Sequence, residues 1–228
     1  MTTAPVTAAL FDLDGTLLDS RAAVIDAYRL AARAYPNGLE NLAAIPEGRL
    51  LAMRVIECCA LIAGPALAED CAVRYDENYR LRTRKKVQVY PGVVEALAAL
   101  RTEGIRLGVV TNKGLARTPG DIAPLDGHGN GAELFDVVVT AADTVERKPS
   151  PRPIQWALEK TGWAPGWAVY VGDGPHDAQS AFGAGLSFVG AGWGYYGLAD
   201  LKAAGADVVC QDVGELVDAV RGALGAGI

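Results

Sequence analysis

The order of apolar and polar positions changes along this chain of 228 residues. From Pro91 onward, short runs rich in β-branched residues are separated by segments with helical periodicity, which is typical of a parallel α/β sheet. With one run near the N-terminus, they predict about six strands: Ala8 to Asp12, Leu107 to Val110, Val137 to Thr140, Val169 to Val171, Ser187 to Val189 and Asp207 to Val209. Unbroken apolar runs of this length indicate strands that are covered on both faces.

The segment from Ser20 to about Arg84 has a helical pattern instead. Apolar residues recur at helical spacing in three predicted helices: Val24, Ala27, Tyr28, Ala31 and Tyr35 in the first, Leu51, Val55, Cys58, Cys59 and Ile62 in the second, and Leu67, Cys71, Tyr75 and Tyr79 in the third. We therefore expect the chain to start a sheet, leave it for a helical insert and return. The predicted domains are an α/β core from residues 1–18 and 87–228 and a helical domain from residues 19–86.

Composition narrows the classes of function. Half of the positions are hydrophobic, so a chain of this length can bury a large core. The net charge of −6 and the isoelectric point near 5.0 argue against general affinity for nucleic acid. The N-terminus lacks a basic leader region and no apolar run approaches the roughly 20 residues of a spanning helix, so we expect no membrane partner and a cytoplasmic location. The four cysteines lack disulfide or metal-site spacing and are expected to be small buried residues.

Polar residues follow four of the predicted strands, at the ends where ligands of open parallel sheets gather. They are Asp12 and Asp14 after the first strand, Thr111 and Asn112 after the second, Lys148 beyond the third, and Asp173 and Asp177 after the fourth. Each of them alone is compatible with an ordinary cap or turn. Together they supply an acid pair, a hydroxyl, an amine and a second acid cluster, which is the set that magnesium-dependent phosphoryl transfer needs.

Asp12 and Asp14 are the most informative of these residues. Residues two apart on a strand point to the same side, so both carboxylates can face one ligand. Two close carboxylates repel each other, and the pair becomes favourable when a cation neutralises one and the other holds a proton. The pair then supplies a nucleophile and a general acid. The alternative is a turn that uses aspartate and Gly15 for local backbone reasons.

In this order and spacing, the residues resemble the phosphatases of the haloacid dehalogenase superfamily, close to the phosphoglycolate phosphatase group. The resemblance covers most of the chain and rests on four motifs: Asp12-Leu13-Asp14-Gly15-Thr16, Val110-Thr111-Asn112-Lys113, Lys148-Pro149-Ser150-Pro151 and Val171-Gly172-Asp173-Gly174-Pro175-His176-Asp177. It implies a Rossmann-like core of three α/β/α layers, with the helical insert as a cap domain. It also implies hydrolysis of a small phosphorylated metabolite, such as phosphoglycolate or a sugar phosphate.

The resemblance assigns a catalytic role to residues of the first three motifs. Asp12 would be the nucleophile that forms an aspartyl-phosphate. Asp14 would protonate the leaving oxygen and then activate water against the intermediate. Thr111, the backbone of Asn112 and Lys148 would hold the phosphoryl oxygens and offset charge in the transition state.

The resemblance also implies Mg²⁺ as the cofactor. The ion would contact the Asp12 carboxylate, the Asp14 backbone carbonyl and Asp173, all of which offer the oxygen ligands that magnesium prefers. Asp177 is the fourth residue expected at the metal site, where it would position a water or Lys148.

Two basic features of the insert have weaker interpretations. Arg49 lies where cap-bearing relatives place a substrate-reading loop, so it is a candidate for binding the non-phosphate end of the substrate; the alternative is an exposed arginine at a helix start. A basic cluster follows at the end of the insert: Arg80, Arg82, Arg84, Lys85 and Lys86. A solvated hinge is preferred for it over an electrostatic funnel for a phosphorylated substrate.

The chain departs from the family pattern after the second motif. Relatives continue there into a helix, whereas Pro119, Gly120 and Pro124 interrupt the helical pattern here, which leaves the packing beside Thr111 open.

Other functions of related proteins fit the same residues less well or equally well. A dehalogenase would not need Asp14, a phosphonatase would carry a lysine in the insert before Lys85, and a signalling receiver would need no helical insert. A sugar-phosphate mutase would share every core residue and stays open, as does the oligomeric state.

Overall fold

The computed structural model describes residues 6–225, apart from the side chain of Ala132, and divides the chain into two compact units. The first unit contains the chain up to Asp19 and again from Val89 onward, and the second is Ser20–Gln88. No helix in the described range is long and apolar enough to cross a lipid bilayer.

The strands of the described residues number eight. In chain order they are β1 (Ala8–Phe11), β2 (Leu18–Asp19), β3 (Gln88–Val89), β4 (Arg106–Val110), β5 (Val137–Val139), β6 (Ala168–Gly172), β7 (Ser187–Ala191) and β8 (Val208–Cys210). Six of them form one sheet in the order β5-β4-β1-β6-β7-β8, and every neighbouring pair is parallel. This confirms the predicted α/β fold, and the predicted strand ends differ from the observed ones by one or two residues.

The α-helices of the described residues are numbered in the same way. They are α1 (Arg21–Ala32), α2 (Gly38–Ala43), α3 (Glu47–Ala52), α4 (Val55–Ala63), α5 (Ala68–Asn78), α6 (Val93–Thr102), α7 (Thr118–Ile122), α8 (Arg152–Thr161), α9 (Pro175–Gly183), α10 (Leu198–Ala203) and α11 (Leu216–Gly225). Helices α6 to α11 belong to the first unit and α1 to α5 to the second.

Strand alternation builds the core of the first unit. Leu10 of β1, Tyr170 of β6 and Phe188 of β7 lie in one apolar cluster with side chains of α8, α9 and α10. Helices α6 and α11 contact the sheet and each other, so the sheet is flanked by helices. Burial of the strands on both sides explains their unbroken apolar sequences.

The helical unit differs from its prediction in several places. Helix α1 ends at Ala32, before Tyr35 of the first predicted helix. The second predicted helix is two helices, α3 and α4, because Met53 and Arg54 between them adopt extended backbone angles. Helix α2 was not predicted, and Asn37 before it has a φ of 55°.

The core of this unit contains Tyr28 and Tyr75, whose ring centroids are 4.3 Å apart with the ring planes tilted by 33°. All four cysteines of the chain are free and buried, as expected.

The segment after β4 is irregular, as its proline and glycine content predicts. Helix α7 has only five residues and carries Pro119 in its first turn. Short 3₁₀ turns at Ala123–Asp126 and Gly131–Leu134 replace the rest of the expected helix. This segment nevertheless carries two buried charged residues, Lys113 and Asp121, which bear on the site below.

Candidate active site

The central strand β1 delivers two acidic residues to a tight turn at its carboxyl end. Asp12 continues the sheet pairing, since its amide donates to the Val171 carbonyl at 2.9 Å. The Gly15 amide then donates to the Leu18 carbonyl at 2.7 Å, and Gly15 has a φ of +89°, which glycine adopts without strain. Asp12 is buried, whereas the side chain of Asp14 is 25% exposed. The two carboxylates therefore lie in different environments.

Lys148 is the centre of a buried polar network. Its ammonium donates to Asp12 Oδ1 at 2.6 Å, to Asp177 Oδ1 at 2.6 Å and to the Tyr170 hydroxyl at 2.8 Å. Tyr170 in turn donates to the Val110 carbonyl at 2.7 Å. An ammonium has three donors, so these bonds fix Lys148 in direction as well as position. The network brings together residues that follow β1, β5 and β6.

Thr111 and Asn112 organise the loops beside this network. The Asn112 side chain binds the backbone of Lys148 twice: its Nδ2 donates to the Lys148 carbonyl at 3.0 Å, and its Oδ1 accepts from the Lys148 amide at 3.1 Å. The Thr111 amide donates to the Val139 carbonyl at 2.9 Å, and its hydroxyl oxygen accepts from the Lys113 amide at 3.1 Å. The Asn112 side chain therefore holds the main chain of the catalytic candidate Lys148.

Burial and charged neighbours compete in setting the pKa values of the cluster. It raises the pKa of Asp12 to about 6, since the nearby Lys148 offsets only part of the desolvation and Asp177 adds to it. Burial and the neighbouring carboxylates also raise the pKa of Asp173 well above its usual range. Burial opposes ionisation of Asp177 as well, but Lys148 and His176 outweigh it and lower the pKa of that carboxyl. Although burial disfavours a charged lysine, Asp12 and Asp177 raise the pKa of Lys148 well above its usual value.

The acidic cluster fits a divalent cation. Asp12, Asp173 and Asp177 bring carboxylate oxygens within 4.8 Å of one another. When ionised, the three carboxylates and the Lys148 ammonium carry a net charge of −2, which a dication balances. Oxygen ligands of this kind suit Mg²⁺. Asp177 Oδ1 binds Lys148 and its Oδ2 accepts from the Gly174 amide at 3.1 Å, so Asp12 and Asp173 are the better placed metal ligands.

The loop after β7 holds Asp173 in place. The Tyr195 amide donates to Asp173 Oδ2 at 2.7 Å, and the Trp193 indole donates to the Thr16 carbonyl at 2.9 Å. Gly194 lies so close to Asp173 that an added Cβ would stand 2.3 Å from the aspartate Cβ. Asp173 can therefore occupy its position only because residue 194 has no side chain.

Sequence reasoning missed a second buried lysine. Lys113 Nζ lies 2.7 Å from Asp14 Oδ1 and 2.7 Å from Asp121 Oδ2. The side chains of Lys113 and Asp121 are 1% and 0% exposed. A signal for Lys113 was present, since it directly follows Thr111 and Asn112 at a strand end, whereas nothing local marks Asp121 as its partner.

The remaining candidates lie in the helical unit or outside the cluster. Arg49, in α3, is exposed and its Nε lies 3.0 Å from the Met53 sulfur. All five members of the basic cluster from Arg80 to Lys86 are exposed, and Lys86 pairs with Asp26. Their roles toward a substrate stay predictions.

Comparison with known proteins places the chain in a family. The model of the haloacid dehalogenase-like hydrolases matches residues 9–191. Relatives include the pyrophosphatase PpaX of Bacillus velezensis, which is 33% identical over 95% of this chain and 97% of its own length. The phosphoglycolate phosphatase of Escherichia coli is 32% identical over 92% of this chain and 90% of its own length. The chain belongs to the haloacid dehalogenase-like hydrolases and is an enzyme of their phosphatase type.

Solved structures share the fold over nearly the whole chain. CbbY of Rhodobacter sphaeroides, solved in complex with phosphate, has a TM-score of 0.75 at 25% identity and covers 92% of this chain and 96% of its own. A haloacid dehalogenase-like hydrolase of Bacteroides fragilis has a TM-score of 0.79 at 23% identity, with 92% and 99% of the two chains covered. These structures show the same fold, while the family model and the relatives above confirm the resemblance inferred from the motifs.

Proposed function

We propose that the protein is a magnesium-dependent phosphatase that hydrolyses a small phosphorylated metabolite through an aspartyl-phosphate on Asp12. The observation that carries the proposal is the buried network in which Lys148 binds both Asp12 and Asp177 at 2.6 Å, beside Asp173. A structural ion pair would not require a third buried carboxylate, Asp173, whose pKa is raised by burial and by the neighbouring carboxylates.

The proposed metal ligands are the carboxylates of Asp12 and Asp173 and the backbone carbonyl of Asp14. Magnesium bound there would neutralise the acidic cluster and draw charge from the phosphoryl oxygens. Asp177 is assigned to hold Lys148, since both of its oxygens accept hydrogen bonds from protein groups.

In the first chemical step, an Asp12 oxygen attacks phosphorus and the bond to the leaving oxygen breaks. Asp14 donates its proton to that oxygen, so the alcohol leaves neutral. As Asp12 bonds to phosphorus, Lys148 is proposed to shift the donor that Asp12 held to a phosphoryl oxygen. The Thr111 hydroxyl and the Asn112 amide are proposed to hold the other phosphoryl oxygens as charge shifts during transfer.

In the second step, water attacks the aspartyl-phosphate and the bond between phosphorus and Asp12 breaks. Asp14 takes the proton from the attacking water and returns to its starting form. Inorganic phosphate leaves, and both aspartates are back in the forms that they had before the first step.

The helical unit, from Ser20 to Gln88, is proposed to act as the cap that selects substrates. Arg49 remains the candidate for binding the non-phosphate end of the substrate. The names of the relatives make phosphoglycolate and pyrophosphate the first compounds to test, followed by sugar phosphates. The cytoplasmic location stays a prediction; the four free cysteines are compatible with it.

The test is a phosphate-release screen of the purified chain against phosphoglycolate, pyrophosphate, sugar phosphates and nucleotides, with Mg²⁺ and with EDTA. We expect Mg²⁺-dependent release from at least one small phosphate, and loss of turnover in Asp12→Asn. Asp218→Asn is a matched control, because its side chain is 82% exposed on α11.

The covalent intermediate can be tested directly. Acid quenching during turnover of a ³²P-labelled substrate should leave label on the wild-type chain and none on Asp12→Asn. Normal turnover by Asp12→Asn would refute the mechanism. Isomerised sugar phosphate without free phosphate would identify a mutase instead.

A further inference from the structure

Lys113 and Asp121 form, with Asp14, a buried charged group that lies beside the Lys148 network and shares no side chain with it. Lys113 Nζ is 2.7 Å from a carboxylate oxygen of each aspartate. Of the three side chains, only that of Asp14 is accessible, at 25% against 1% and 0%. A substrate can therefore reach Asp14 alone, while the two buried partners act on it from behind.

The backbone of Lys113 is anchored on both sides. Its amide donates to the Thr111 hydroxyl at 3.1 Å, and its carbonyl accepts from the Ala141 amide at 3.0 Å. These contacts join the lysine to the carboxyl ends of β4 and β5, which are rigid parts of the sheet. An ion pair on such a backbone restricts the direction of the Asp14 carboxylate more than a pair between mobile side chains does.

Asp121 is anchored by the segment that departs from the family pattern. Helix α7 begins at Thr118, whose amide and hydroxyl bind the Gly114 carbonyl at 3.3 and 3.1 Å. This turns α7 so that Asp121 lies buried against Lys113. The irregular segment after β4 thus supplies the second carboxylate of the group.

We propose that Lys113 is a positioning residue for the general acid Asp14, and that Asp121 holds Lys113 in place for this purpose. The inference rests on the proposed function, since it assigns a task to the acid of that reaction. A buried ammonium with Asp14 as its single partner would be left uncompensated whenever Asp14 carried a proton. Because Asp121 also binds Lys113, the ammonium keeps an anionic partner, and it can hold Oδ1 of Asp14 while Oδ2 carries the proton.

The experiment compares two substrates that differ in their need for an acid. The leaving group of an alkyl phosphate is a basic alkoxide, so its departure depends on protonation by an acid. The leaving group of p-nitrophenyl phosphate is p-nitrophenolate, which departs without being protonated. The measured quantity is kcat/KM, because it reports the steps through departure of the leaving group and excludes hydrolysis of the aspartyl-phosphate. General acid catalysis typically accelerates a reaction 10²- to 10⁴-fold, so a variant that loses positioning of the acid should show a measurable fall in kcat/KM.

We expect Lys113→Met to lower kcat/KM for the best alkyl phosphate about 10- to 100-fold and for p-nitrophenyl phosphate less than about 3-fold. Asp121→Asn should act in the same direction, by about 3- to 10-fold on the alkyl ester. Glu103→Gln, which removes a surface ion pair with Arg221 in the same unit, should leave kcat/KM unchanged for both esters.

A double-mutant cycle separates positioning from a general structural role. In an Asp14→Asn background, Lys113→Met should produce no further loss on either ester, because the acid it orients is already gone. If Lys113→Met alone destabilises the chain, the variant that also carries Asp121→Asn removes both buried charges and is used in its place.

Equal losses on both esters, or a further loss in the Asp14→Asn background, would overturn the inference and leave the proposed function standing. If the wild type hydrolysed neither ester in Mg²⁺, the proposed function would fail and the inference with it. The inference would be established if Lys113→Met lowered kcat/KM selectively for the alkyl ester and if this effect disappeared in the Asp14→Asn background.

Discussion

Replacing Asp12 by asparagine is expected to stabilise the metal-free protein while it abolishes turnover. Burial raises the pKa of Asp12 from 3.8 to about 6, which corresponds to about 3 kcal/mol between the two protonation states. The folded chain binds this proton more tightly than the unfolded chain does. The stabilisation by neutral Asp12 is therefore present below pH 3.8 and is lost as the pH rises through about 6. Asparagine mimics the neutral acid at every pH.

The free energy of unfolding should be measured by urea denaturation in EDTA, followed by tryptophan fluorescence. The advantage of Asp12→Asn over the wild type should be close to zero near pH 4 and reach about 3 kcal/mol above pH 7. Saturating Mg²⁺ should stabilise the wild type more than the variant, since a ligand that binds only the folded state raises its stability. Exposed Asp218→Asn serves as the control. If Asp12→Asn is less stable than the wild type at pH 8 in EDTA, or if its advantage does not change with pH, the electrostatic reasoning is wrong.

Three further substitutions test how the cluster is held together. Gly194→Ala should weaken Mg²⁺ binding about 10- to 100-fold in calorimetric titration, because the added Cβ would displace Asp173. Gly166→Ala is the control, since Gly166 has open space around it and its substitution should leave the affinity unchanged. Equal Mg²⁺ affinities of the two variants would contradict this reasoning. Tyr170→Phe removes the hydroxyl that accepts from Lys148 and should lower the free energy of unfolding by roughly 1–3 kcal/mol in urea; an unchanged value would show that the bond contributes nothing net. Lys148→Met leaves the buried carboxylates of Asp12 and Asp177 without their ammonium, so it should lower the free energy of unfolding by about 3–5 kcal/mol at pH 8 in EDTA. An unchanged free energy of unfolding would refute this expectation.

Periodicity predicted the sheet well because buried parallel strands must be apolar without interruption. It failed within the helical unit for a physical reason. The apolar spacing of the second predicted helix runs through Met53 and Arg54, and neither residue is a glycine or a proline. The break between α3 and α4 therefore has no local signal, and it depends on how the helices pack.

The site was predictable as far as strand ends identify it. Asp12, Lys148 and Asp173 follow separate strands, and a parallel sheet brings such ends to one edge. Tyr170 was not predictable, because its position within a buried strand indicates core packing and its hydroxyl bond to Lys148 emerges only in three dimensions. The pairing of Lys113 with Asp121 likewise depends on the turn that precedes α7.

The central place of β1 in the sheet has a consequence for how the chain is made. Phe11 of β1 pairs with Val109 of β4 and Val171 of β6, about 100 and 160 residues further along. At a synthesis rate of 5–20 residues per second, β1 waits roughly 8 to 30 seconds on the ribosome for its second neighbour. For most of that interval Lys148 has not yet been made, since it lies 136 residues after Asp12. The acidic cluster thus cannot be completed before β6 and the residues that follow it are made, and a chain that stalls before β6 lacks both Asp173 and Asp177.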